Sequence, residues 1–117
     1  MVLCETTTHS LTVHVASLAI EVRLSTSHSL KEKRALLRPV LEGCRRRFSV
    51  AVAEVGHQDA WQRATLGVAT VSGTVSQASK VLDSVERFVW SFPELEVIGC
   101  ERRWLDTESA GDLSWSE

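Results

Sequence analysis

The hydrophobic pattern of this chain predicts a two-layer α+β sandwich of order β-α-β-β-α-β. In it a four-stranded antiparallel sheet is covered on one face by two helices. Three observations carry the prediction. An early segment alternates apolar and polar residues with the period of a strand, two later segments repeat apolar residues with the period of a helix, and the other apolar runs are short and bounded by turn residues. The 117 residues leave room for one core, and 44% hydrophobic with 24% charged residues excludes a disordered chain or a coiled coil.

Met1 to His14 is polar and reads as a leader outside the core. Leu18, Ile20, Val22 and Leu24 then alternate with Ala19, Glu21 and Arg23, the signature of a half-buried strand. Val13 and Val15 stand on the opposite phase, so the strand is expected to begin near Ser17 or to bulge there. After the polar turn Ser25–Ser29, the spacing of Ser29 and Glu32 is that of a helix capping box. Leu30, Leu37, Val40, Leu41, Cys44 and Phe48 form the apolar stripe of that helix, with a kink expected at Pro39. Short strands follow at Val50–Val55 and Thr65–Ser72. A second amphipathic helix runs through Val75, Ala78, Val81, Leu82, Val85, Phe88, Val89 and Phe92 to Pro93, and Leu95 to Trp104 is the fourth strand. The domain is thus expected over residues 15–104, with 105–117 an acidic tail. With right-handed crossovers this order folds as a ferredoxin-like sandwich.

Cys4, Cys44 and Cys100 are widely spaced and odd in number, which indicates neither a disulfide framework nor a zinc site, and they read as reduced thiols of a cytoplasmic protein. No apolar run is long enough for a membrane span, and the start lacks the basic residues of a signal peptide.

Three stretches taken together resemble the YlxP-like bacterial family classified as domain of unknown function 503. They are His28-Ser29-Leu30-Lys31-Glu32-Lys33-Arg34, Val52-Ala53-Glu54-Val55, and His57-Gln58-Asp59-Ala60-Trp61-Gln62-Arg63-Ala64 continuing to Leu66-Gly67-Val68-Ala69. The resemblance covers about Val15 to Trp104. It implies a ferredoxin-like fold, a cytoplasmic bacterial protein and a ribosome-associated role, and it implies no established catalytic activity.

The net charge of -2 excludes a generally basic nucleic-acid binder, but the charge is unevenly placed. Lys31, Lys33, Arg34, Arg38, Arg45, Arg46 and Arg47 all fall on the first predicted helix, whereas the chain from Glu94 onward is mostly acidic. Such a ridge can bind RNA phosphates by releasing condensed counterions. The competing reading is a solvated helix face whose last-turn arginines offset the helix dipole. An anion at the Ser25–Ser29 turn, helped by Lys31 and Lys33, competes in turn with simple capping. A sheet-face RNA reader is disfavoured, because the two expected central strands hold no aromatic residue for base stacking.

The loop His57–Arg63 gathers His57, Asp59, Trp61, Gln62 and Arg63 and is expected to contribute to a contact surface. Its structural reading has Asp59 capping a turn, Trp61 covering the end of the core and Arg63 pairing with an acid such as Glu54. A small enzyme or ligand binder would need His28, His57 and Asp59 to converge. No nucleophile elbow, Cys–His pair or walled carboxylate pair is present, so no catalytic residue, cofactor or metal is assigned. The uncovered sheet face, with Ala19, Ala51, Ala53, Gly67, Ala69 and Val71, is expected to take a second copy of the chain or a partner protein, as a chaperone-like protein would.

Overall fold

A computed structural model describes residues 12–105, so most of the expected leader and acidic tail lies outside the described residues. The elements are β1 (His14–Arg23), α1 (Leu30–Phe48), β2 (Ala51–Gly56), β3 (Arg63–Ser72), α2 (Val75–Trp90) and β4 (Glu96–Leu105). The strands form one antiparallel sheet in the order β2-β3-β1-β4, the ferredoxin-like arrangement that the order of patterns predicts.

β1 and β3 are the central pair, in unbroken register from His14 opposite Ser72 to Arg23 opposite Arg63. The strand therefore starts three residues before Ser17 and does not bulge there. Ala16 continues the buried phase of Leu18, Ile20 and Val22, while Val15 lies opposite Val71 on the uncovered face. The out-of-phase valines thus mark an apolar end of that face. The irregularities lie where the central strands meet the edges. Pairing with β4 shifts between Glu21 and Val22, leaving Ile98 over and partly exposed, and pairing with β2 shifts between Glu54 and Gly56.

Ser29 caps α1 by accepting from the Glu32 backbone N–H at 3.0 Å, and the Glu32 carboxylate accepts from the His28 N–H at 2.7 Å. The reciprocal bond thus reaches one residue beyond the cap. α1 runs through Pro39 to Phe48 and ends at Ser49, which adopts the left-handed region at φ 55° and donates to the Arg45 carbonyl. Thr74 caps α2 through the Gln77 N–H, and Ser91 closes it, so Phe92 packs on the core from beyond the helix. The core is built from Leu18, Ile20, Val22, Leu37, Val40, Leu66, Leu82 and Val85, all at most 2% exposed. The two helices approach at Gly43, where an added Cβ would collide with Phe88 Cζ. Phe88 in turn packs edge-on against Phe48 and Phe92. No described helix is long and apolar enough to cross a membrane.

Candidate functional site

Lys33 does not belong to the basic ridge. It is 1% exposed and points under the His57–Arg63 loop, where Nζ lies 2.9 Å from the His57 carbonyl, 3.4 Å from Gln58 O and 3.3 Å from Arg63 O. Glu54 Oε2 stands 2.7 Å from the same ammonium. Four oxygens surround three N–H donors, so the Glu54 contact is an ion pair without an aligned hydrogen bond of its own. The spacing could have revealed this. Lys33 precedes Leu37, Val40 and Cys44 by four, seven and eleven residues, the interval of the buried stripe.

The loop is fastened elsewhere too. Gln62 Nε2 donates to the Ser25 and Ser27 carbonyls at 3.1 and 3.0 Å, Leu24 N donates to Gln62 O, and Gln58 Nε2 donates to Glu54 O. His57 sits in the left-handed region at φ 57°, and its carbonyl accepts from Ala60 N to close the turn. Among the described residues the Asp59 side chain makes no hydrogen bond, so the expected Asp59 cap is replaced by backbone and lysine donors. Trp61 is 54% exposed and does not cover the core. The Lys33 stem occupies the space beneath the loop, and an indole there would leave three carbonyls without donors.

Arg63 pairs with Glu21 at 3.5 Å, not with Glu54, which Lys33 has taken. Glu21 also accepts from the Thr65 hydroxyl at 2.7 Å and lies 3.5 Å from His57 Nε2. The Thr65 hydrogen bond, aided by Arg63 and His57, outweighs desolvation and holds the Glu21 carboxyl below its ordinary range. Arg63 Nε is buried without a hydrogen-bond partner among the described residues.

The rest of the predicted ridge divides. Arg34, Arg38 and Arg45 recur along the flank of α1 that faces edge strand β2, and with Leu37, Leu41, Glu42 and Glu54 they line a cleft of about 270 Å³. Arg45 Nη2 is anchored there on the Val52 carbonyl at 2.8 Å. Lys31 and Arg46 are exposed beyond it. Arg47 turns to the other side, its guanidinium 4.9 Å from the Phe88 ring centroid. At the start of α1 the Glu32 and His28 N–H groups are taken by the Ser29 hydroxyl and the Glu32 carboxylate, and Lys33, expected to help hold an anion there, faces inward.

No hydrogen bond or ion pair among the described residues joins the side chains of His28, His57 and Asp59, and His28 is exposed at the head of α1. No group of three His, Cys, Asp or Glu side chains there is placed to hold a metal. Burial pushes the Cys44 thiol up to about 11. Desolvation and Glu86 raise that of Cys100, so neither is primed as a thiolate.

The uncovered sheet face has the predicted small-residue character. Ala51, Ala69 and Ser17 form one cross-strand row, Ala53, Gly67 and Ala19 the next, and together they floor a shallow hollow of about 400 Å³. Val55 arches over Gly67, where an added Cβ would meet its methyls at 3.0 and 3.2 Å. Charges border these rows: Glu21 with Arg63 lies at one end, and on β4 Glu101 stands opposite Ala19 and Arg103 opposite Ser17, so the face is less free of charge than its small residues alone suggest.

Residues 15–102 match the family described as Protein of unknown function (DUF503). The Uncharacterized protein YlxP of Bacillus subtilis (strain 168) is 43% identical over 77 residues, which are 66% of this chain and 84% of that protein. Among solved structures, the de novo designed protein Foldit4 superposes with a TM-score of 0.50 at 17% identity, over 80% of this chain and 97% of that one, a likeness of fold alone.

Proposed function

The chain belongs to the DUF503 family of proteins of unknown function, and on that premise we propose that it is a small, non-catalytic, cytoplasmic accessory protein that contacts RNA, in the ribosome or free. The carrying observation is the cleft between α1 and β2. It offers Arg34, Arg38 and Arg45 on one flank, with Lys31 and Arg46 exposed nearby. Of its two acids, Glu54 is already paired with Lys33, so the guanidinium charges exceed the one remaining carboxylate, Glu42. Guanidinium forks match phosphate geometry and bind it with a strong dependence on salt.

The variant Arg34→Gln/Arg38→Gln removes two charges that make no hydrogen bond to the fold among the described residues. It is expected to lower affinity for a mixed-sequence single-stranded RNA about tenfold near 0.1 M salt, and to flatten the log–log salt slope by about 1.4, at roughly 0.7 per phosphate contact. Filter binding across a salt series measures both. An unchanged slope, or no binding by the wild type, overturns the reading.

A second reading rests on the Ala–Gly hollow of the sheet. Across its two central rows β2, β3 and β1 present only Ala, Gly and Ser, with Arg103 and Glu101 closing the rows on β4, and a second copy of the chain is the occupant that we propose for it.

A further inference from the structure

An RNA surface on this fold lacks the usual stacking platform. The uncovered faces of β1 and β3 present Ser17, Ala19, Glu21, Thr65, Gly67 and Ala69, with no ring among them. Three tryptophans are exposed among the described residues, and they differ in surroundings. Trp90 ends α2 in a patch with Asp83, Glu86 and Arg87, whose two acids are both paired with Arg102, and no residue of α2 lines the arginine cleft. Trp104 lies on β4, at the sheet edge opposite the cleft. Trp61 belongs to the His57–Arg63 loop, which is fastened to Glu54, and Glu54 also lines the arginine cleft.

From this placement we infer that Trp61 is a stacking platform for an unpaired base, and that the ligand of the arginine cleft is single-stranded RNA. The inference rests on the reading of the cleft as an RNA contact. Two physical points carry it. A base can offer its π-face to an indole only when it is unstacked, because an A-form duplex hides its faces and shows phosphates and sugar hydroxyls instead. The indole, moreover, is presented by a loop with little freedom left to lose. Residues 57, 58, 62 and 63 are each tied by at least one backbone or side-chain hydrogen bond, so docking a base on Trp61 costs little further ordering. Trp61 supplies a sequence-tolerant contact and the arginines hold the flanking phosphates, the combination found where proteins track single strands.

The test compares a short mixed-sequence single-stranded RNA with its blunt duplex, using the full chain. The single strand is expected to bind at least tenfold more tightly than the duplex. Trp61→Ala should lower single-strand affinity about tenfold, Trp61→Phe should keep most of it, and Trp90→Ala should leave it unchanged. Adding the single strand should quench a part of the tryptophan emission that is missing in Trp61→Phe. Since Trp61 is exposed, its variants should share the wild-type urea midpoint, which separates a stacking effect from unfolding. Equal affinity for duplex and single strand, or a Trp61→Ala variant that binds like the wild type while Arg34→Gln/Arg38→Gln is impaired, overturns the stacking role and leaves the cleft standing. Absence of RNA binding by the wild type overturns both.

Discussion

Lys33 joins residues far apart in the chain through one buried charge. Its ammonium serves the carbonyls of His57, Gln58 and Arg63 and balances Glu54, so removing it strands three acceptors and one carboxylate together. Breaking a buried ion pair costs roughly 3–5 kcal/mol, and Glu54, whose side chain is 18% exposed, recovers part of that from water. Lys33→Met is therefore expected to lose about 3 kcal/mol in urea unfolding, with faster amide exchange across the loop. A loss under about 1 kcal/mol would show that the carbonyls find other donors. The inward course of this residue was legible in the sequence from its interval to Leu37, Val40 and Cys44, but its residue type argued for solvent. The partner of Arg63 was not legible. Glu21 and Glu54 are both acids on strands, and the β1–β3 register, which sets Glu21 opposite Thr65, together with the claim of Lys33 on Glu54, decides between them.

The elements were legible because each follows a period. Strand alternation and helical stripes gave all six in order, and the Ser29 cap marked the start of α1 within a residue. The two pairing shifts were not legible, since a bulge is a relation between strands and leaves little trace within either one. Nor does the sequence of α1 alone show that its basic side chains serve different neighbours. That sorting follows from where β2, the loop and α2 lie around the helix. The α1–α2 approach has its own check at Gly43. An alanine gains about 1 kcal/mol of helix propensity, but its Cβ would press on the Phe88 ring and disturb its edge-on packing against Phe48 and Phe92. Overpacking of this kind costs about 1–3 kcal/mol, so Gly43→Ala is expected to be destabilised by about 1 kcal/mol net. Urea denaturation measures the loss, and Phe88→Leu in the same background should reduce it.

On the scale of the whole molecule, the helices cover one face of the sheet and leave the other to solvent or to a partner. The hollow over Ala19, Ala53 and Gly67 is where a second copy is proposed, and sedimentation reads that directly. The wild type is expected to sediment as a dimer at roughly tens of micromolar, a concentration typical of modest self-association. Ala53→Glu, which places a charge on the β2 side of the hollow, should leave a monomer of unchanged circular dichroism. A monomeric wild type at that concentration sinks the second-copy reading. The composition of this face was legible in the sequence, while its occupant was not, because small residues state what can approach and not what does. The Arg45 bond to the Val52 carbonyl bears on the opposite hazard. β2 is an edge strand, and an edge with unsatisfied backbone groups is a template on which strands of other molecules can add without limit. A guanidinium seated on one of those carbonyls removes an acceptor that an incoming strand would need and sets a positive charge in its path. Through Arg45, α1 thereby also hinders the addition of a foreign strand at this point of the β2 edge.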